Sequence, residues 1–160
     1  MIDQWISDLG SPDTIRFALM LNALATWYMV GVIVFVQVAH YPLFRDINPE
    51  GFAAYSERNQ WLTSFVVGPP MIVEAAIAAC LMIWLATPAG AQLIDGRLAL
   101  WNVGLLLVIF GVTAIFSIPC HAVLAKRYDL AVIRRLVITN WLRTVTWVGK
   151  GILAVQLLMT

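Results

Sequence analysis

The sequence predicts an all-α integral membrane protein, a four-helix up-down bundle in which every long helix crosses the bilayer. Three observations carry this. The chain of 160 residues is 61% hydrophobic and 12% charged, where soluble domains sit near ~45–50% and ~25%. Four apolar stretches are each long enough to cross ~30 Å of hydrocarbon as a helix. The polar residues inside those stretches recur at helical spacing. A mean hydropathy of +0.84 excludes an ordinary soluble enzyme and a disordered chain. Ten basic and nine acidic residues, net +1, leave no footprint for nucleic acid.

The first span is predicted over residues 15–44, opened by the helix-start cluster Ser11, Pro12, Asp13 and Thr14. It is not read as a signal peptide, because it lacks a basic leader and exceeds the length of a signal core. The second span covers 65–87 and is closed by Pro88-Ala89-Gly90. Gly68-Pro69-Pro70 is expected to bend or unwind its first turn. The third covers 98–124 and the fourth 137–159. Asn48-Pro49-Glu50 reads as a helix start and predicts a short surface helix over 52–61. Asp129 is expected to cap a second amphipathic helix over 130–136.

Orientation follows from the basic residues. The connection between spans one and two carries Arg45 and Arg58, and that between spans three and four carries Lys126, Arg127, Arg134 and Arg135. The other side has Arg16 and Arg97, with Asp3, Asp8 and Asp13. The positive-inside rule then places both termini outside, which is the periplasm if the membrane is a bacterial inner membrane.

Shifting the chain by 81 residues pairs Phe35 with Phe116, His40 with His121, Leu43 with Leu124, Asn59 with Asn140, Thr63 with Thr144, Val67 with Val148 and Gly68 with Gly149. That is seven identities over 34 paired positions from residue 35 to 68. It suggests a parallel duplication of two-span halves, about 15–87 and 98–159, related by an axis along the membrane normal. In an up-down bundle the first and third spans would then be diagonal. His40 and His121 would face each other at one depth.

Those are the only two histidines. Opposed neutral imidazoles are what axial ligation of haem b, or a shared transition metal, requires. Gln37 and Ser117, each within a turn, are expected to fix the second ring nitrogen of His40 and His121. The competing reading has each histidine simply bonding a carbonyl at a helix interface. On span four, Asn140, Arg143, Thr144, Trp147 and Lys150 form one polar face. Arg143 is a candidate anchor for an anionic group, against the alternative of snorkelling to the headgroups. Arg58, Asn59 and Asn140 are expected to support it. Lys150 lies ~18 Å along its helix from Ile138, and Glu74 ~15 Å along from Ser64. Their similar depth predicts a Glu74–Lys150 contact, as a structural staple or as a proton-carrying pair. Cys80 and Cys120 fall at different depths and are not expected to form a disulfide.

Pro119-x-His121-x-x-Leu124, followed by a charged helix and Leu136-x-x-x-Asn140-Trp141-x-Arg143-Thr144, resembles a small four-span membrane family that includes anthrone oxygenase-like proteins. The resemblance covers about 40 residues of the second half. It implies oxygenase-like activity on a polycyclic phenol, with no dedicated cofactor motif. His121 stands where that family has Asn.

Three functions are compatible with these residues. The first is a membrane redox protein holding haem or a metal between His40 and His121. The second is a cofactor-independent oxygenase or isomerase acting on a lipid-soluble aromatic or quinone. There a histidine is the general base, and Arg143 with Asn140 stabilises an oxyanion. It predicts a cavity opening sideways to lipid. The third is a small proton-coupled transporter or accessory subunit that uses Glu74 and Lys150, for which a homodimer is expected.

Overall fold

The computed structural model describes residues 10–160; Asp3 and Asp8, which enter the orientation argument, lie outside the described residues. Within them the chain is helical, with no strand. Helix α1 (Pro12–Phe35) has Ser11 as its N-cap, whose hydroxyl accepts from Thr14 N, with Pro12 in the first turn. It runs on through a π turn, Val36–His40, and a 3-10 turn, Pro42–Asp46. Helix α2 (Pro49–Trp84) is capped by Asn48. A one-turn-and-a-half helix α3 (Pro88–Leu93) precedes α4 (Gly96–Val112), which continues through a π turn, Thr113–Ser117, into α5 (Ile118–Leu124). Helix α6 (Leu130–Leu158) is capped by Asp129. The Val132 and Ala131 amides, together with Arg127, hold the exposed Asp129 carboxyl below its ordinary range.

Three helices are long and apolar enough to cross a membrane: Pro12–Asp46, Pro49–Trp84 and Gly96–Leu124. Their outer faces carry exposed Phe17, Phe35, Phe65, Ile72, Leu107 and Ile115, surface that water would not tolerate but lipid does.

Three local expectations are corrected. The surface helices over 52–61 and 130–136 are not separate pieces; they are the first turns of α2 and α6. Both caps are used, but nothing after them breaks the helix. Nor do Pro69 and Pro70 unwind α2, which stays helical through both. The carbonyl of Val66, left without its usual donor by Pro70, instead accepts from the Tyr28 hydroxyl at 3.4 Å.

The two π turns share a cause. Tyr41 N donates to Val36 O and Ile118 N to Thr113 O, five residues back in each case. The next residue each time is proline, Pro42 and Pro119. A proline ring strikes the carbonyl four residues back and offers it no hydrogen. One wider turn just before it accommodates the ring.

Helix α6 packs along α1 and α4, while α2 packs against α1 and, less closely, α4 and α5. Helices α2 and α6 meet through long side chains across the middle. One apolar cluster seals one end (Ile15, Leu81, Trp84, Leu157) and a second the other (Phe44, Phe52, Leu124, Leu136). Met29, Ile33, Ile109 and Trp147 pack between them.

Candidate ligand cavity

A cavity of about 330 Å³ lies between α1, α2 and the α4–α5 segment, with Arg143 of α6 in its wall. Its long walls are apolar: Met29, Ile33, Val36, Val67 and Met71. Polar groups gather at one end, namely His40, Tyr41, Asn59, Gln60, His121 and Arg143. Ser64 of α2 and Ile118 and Ala122 of α5 line it while remaining exposed. The mouth therefore opens sideways between two helices apolar enough to span a membrane. An apolar pocket with a few convergent polar groups is the usual form of a small-molecule site.

His40 Nε2 lies 3.0 Å from Asn59 Oδ1, which also accepts from the Thr63 hydroxyl at 3.4 Å. An acceptor at Oδ1 assigns the His40 proton to Nε2 and leaves Nδ1 as a lone pair. His121 Nε2 lies 2.9 Å from the Tyr41 hydroxyl, and its Nδ1 is buried without a partner. A buried N–H without an acceptor is the rarer orphan, so the proton is assigned to Nε2, donating to Tyr41. The same phenol interacts with Arg143, a donor only. With His121 donating to its oxygen, Tyr41 has its own proton free for a ligand.

Arg143 is 7% exposed, so it does not snorkel to water. Its Nη1 donates to Asn140 Oδ1 at 3.1 Å and to Ser117 Oγ at 3.4 Å. Its guanidinium lies over the Trp147 ring, 5.2 Å from the centroid. Its Nε has no partner. Among the described residues the ion pairs are Arg127–Asp129 and Lys150–Glu74; no carboxylate faces Arg143.

The supporting residues differ from expectation. Gln37 does not bond His40: its Nε2 donates to Val137 O at 3.2 Å, and its Oε1 accepts from Asn140 Nδ2 at 2.9 Å. Gln37 and His40 both lie in the π turn, where a three-residue step no longer stacks side chains. Ser117 serves Arg143 rather than His121. Asn140 holds Arg143 from behind and does not line the cavity. Arg58 is exposed and outside it. Asn59 does join, as the partner of His40. Glu74 and Lys150 form an ion pair at 2.8 Å, fully buried and away from the cavity. Cys80 and Cys120 are both free.

The haem or metal expected between His40 and His121 gains no support from this donor set. Both Nε2 atoms are engaged, and the Tyr41 ring contacts both imidazoles at 6.0 and 5.6 Å. No group of three metal-ligating side chains occurs among the described residues. Tyr41 and Gln60 are the cavity residues that spacing alone does not single out as chemical groups. Gln60 Nε2 ties α2 to the His121 carbonyl at 3.1 Å. The available signal for Tyr41 is its place between a histidine and a helix-distorting proline. No family model, curated protein or solved structure matches the chain.

Proposed function

We propose that this protein is a membrane-embedded proton-transfer catalyst, an isomerase or cofactor-independent oxygenase, acting on a lipid-soluble molecule that enters from the bilayer. The observation that carries this reading is a base and an acid at one end of an apolar cavity. His40 Nδ1 is a free lone pair, and Tyr41 has a free proton beside its neighbour His121. A C–H next to a carbonyl gives its proton to His40. The developing enolate oxygen is held by the Tyr41 hydroxyl, and His121 and Arg143 stabilise the charge through that phenol. Return of the proton from His40 to a different carbon completes an isomerisation with no net change in redox state. An oxygenase would begin with the same deprotonation.

The test is proton exchange. Purified protein in nanodiscs is incubated in D2O with long-chain 3-oxo and β,γ-unsaturated acids and their esters, and label next to the carbonyl is read by mass spectrometry. Wild-type protein accelerates the exchange, and Tyr41→Phe and His40→Gln each slow it ~10²-fold or more. Equal rates in all three proteins overturn the reading.

In the same proposal α6 is a fourth span, and the chain is a four-helix bundle with both termini outside. The exposed apolar residues Ile138, Leu142, Val145 and Ile152 along α6 support this, since Arg143 and Lys150 face inward and the exposed Arg134 and Arg135 lie in its first two turns. The positive-inside count supports this orientation, and a bacterial inner membrane is part of the same proposal. Alkaline-phosphatase fusions after Gly90 and at the C-terminus are active if this holds and inactive if the orientation is reversed. The two-fold repeat is supported by the paired π turn and proline motifs. Those are offset by 77 residues (Pro42 to Pro119) against 81 for the histidines, so the halves differ in register by one helical turn at the site.

A further inference from the structure

We infer that the molecule held in this cavity is a lipid-soluble carboxylic acid, its carboxylate docked on Arg143 and its chain lying along Met29, Ile33, Val67 and Met71. The inference rests on reading the cavity as the ligand site, and it goes further by fixing the ligand's charge and shape.

Charge comes first. Arg143 is a permanent cation, almost wholly buried, with a free Nε and no carboxylate among the described residues to balance it. Neutral oxygens from Asn140 and Ser117 and the face of Trp147 orient it without neutralising it. An uncompensated buried charge is costly, and here it lies in the wall of a cavity that opens to the surroundings. The missing charge is therefore supplied by what enters. To neutralise Arg143 on arrival, the ligand must already be ionised at neutral pH. A carboxylic acid is ionised there, whereas a phenol, with an ordinary value near ~10, is not. A carboxylate oxygen also accepts a short, charge-assisted bond from a guanidinium N–H.

Shape comes second. The walls run from His40 to Met29 on α1, eleven residues or ~17 Å of helix. The ionisable groups cluster at the His40 end, and Thr113, farther along, turns its hydroxyl back onto Ile109 O. That is the outline of an amphiphile, head against Arg143, tail among methionines, which adapt to chains of varied form. Arg143 thus acts as a binding residue for a fixed charge, and Tyr41 and His40 remain free for the reacting part of the molecule.

The experiment uses the whole protein in detergent micelles, with dodecanoic acid, its methyl ester and dodecylamine as probes and native mass spectrometry as the readout. The acid is expected to bind one per chain, ~10–100-fold tighter than the ester, and the amine not at all. In Arg143→Gln the acid falls to the affinity of the ester, while Arg143→Lys keeps part of the preference. If Arg143→Gln does not fold, the wild-type protein supplies the same test through pH. The acid's advantage over the ester is then lost as pH falls through its own ionisation range of about 4–5. Acid and ester binding equally would overturn the inference while leaving the cavity reading standing. Failure of every probe to bind, together with no proton exchange, would sink both.

Discussion

Two polar regions, around Arg143 and Lys150, lie two helical turns apart on α6, and they are finished in opposite ways. Around Lys150 every donor has an acceptor. Its ammonium donates to Glu74 Oε1 at 2.8 Å, Thr26 Oγ1 at 2.7 Å and Asn22 Oδ1 at 3.2 Å, which uses all three hydrogens. Glu74 also accepts from the Thr26 hydroxyl at 2.8 Å and from Trp147 Nε1 at 3.3 Å. Asn102 closes the group, accepting from Asn22 and donating to the Lys150 carbonyl, both at 3.4 Å. Around Arg143 the opposite holds: one cation, no counter-charge among the described residues, a free Nε, and an orphaned His121 Nδ1 nearby. A saturated buried network fixes helices to one another; an unsaturated one bordering a cavity awaits a ligand. Of the two roles open to Glu74 and Lys150, the saturated geometry supports the staple, since neither group has a side open to a proton path.

Trp147 belongs to both regions, with its N–H on Glu74 and its ring face under Arg143. The staple thereby fixes the indole that supports the cation of the cavity.

Three measurements break or sharpen this contrast. The largest effect is expected in the closed region. Lys150→Met leaves the Glu74 carboxylate buried without its cation and costs on the order of 3–5 kcal/mol in detergent unfolding. Adding Glu74→Gln recovers most of it, because the pair is then removed as a unit. Purely additive losses would mean that the two groups do not stabilise each other.

The open region is expected to respond with the opposite sign. Arg143→Met removes a buried cation that has no counter-ion, so unfolding of the ligand-free protein changes by less than about 1 kcal/mol or moves toward greater stability. A loss as large as that of Lys150→Met would show that Arg143 is a structural charge with a partner of its own.

An intermediate effect is expected at the junction. Trp147→Phe keeps a ring beneath Arg143 and removes the donor to Glu74 Oε2, for a loss of about 1–3 kcal/mol. Ligand affinity should fall too if the staple positions Arg143 through the indole. Unchanged affinity would make the two regions independent.

What the sequence determines by itself about this protein is whatever depends on neighbours along the chain. The apolar runs set the helices, because burying backbone polar groups in hydrocarbon leaves few alternatives to helix. Ser11, Asn48 and Asp129 mark the helix starts, because a cap satisfies amides two or three residues ahead. The depth of Glu74 and Lys150 can be counted in residues, because a helix rises uniformly, and their contact follows from the cost of leaving either charge alone. The tertiary structure decides the rest of the site. Two proline-induced π turns rotate α1 and α4 away from simple helical periodicity. They turn Gln37 and Ser117 from the histidines toward α6, and they accompany the pairing of His121 with Tyr41. That Arg143 lacks a counter-charge could not be read from spacing either, because the absence of a partner is a property of everything packed around a residue and not of the residue's place in the chain.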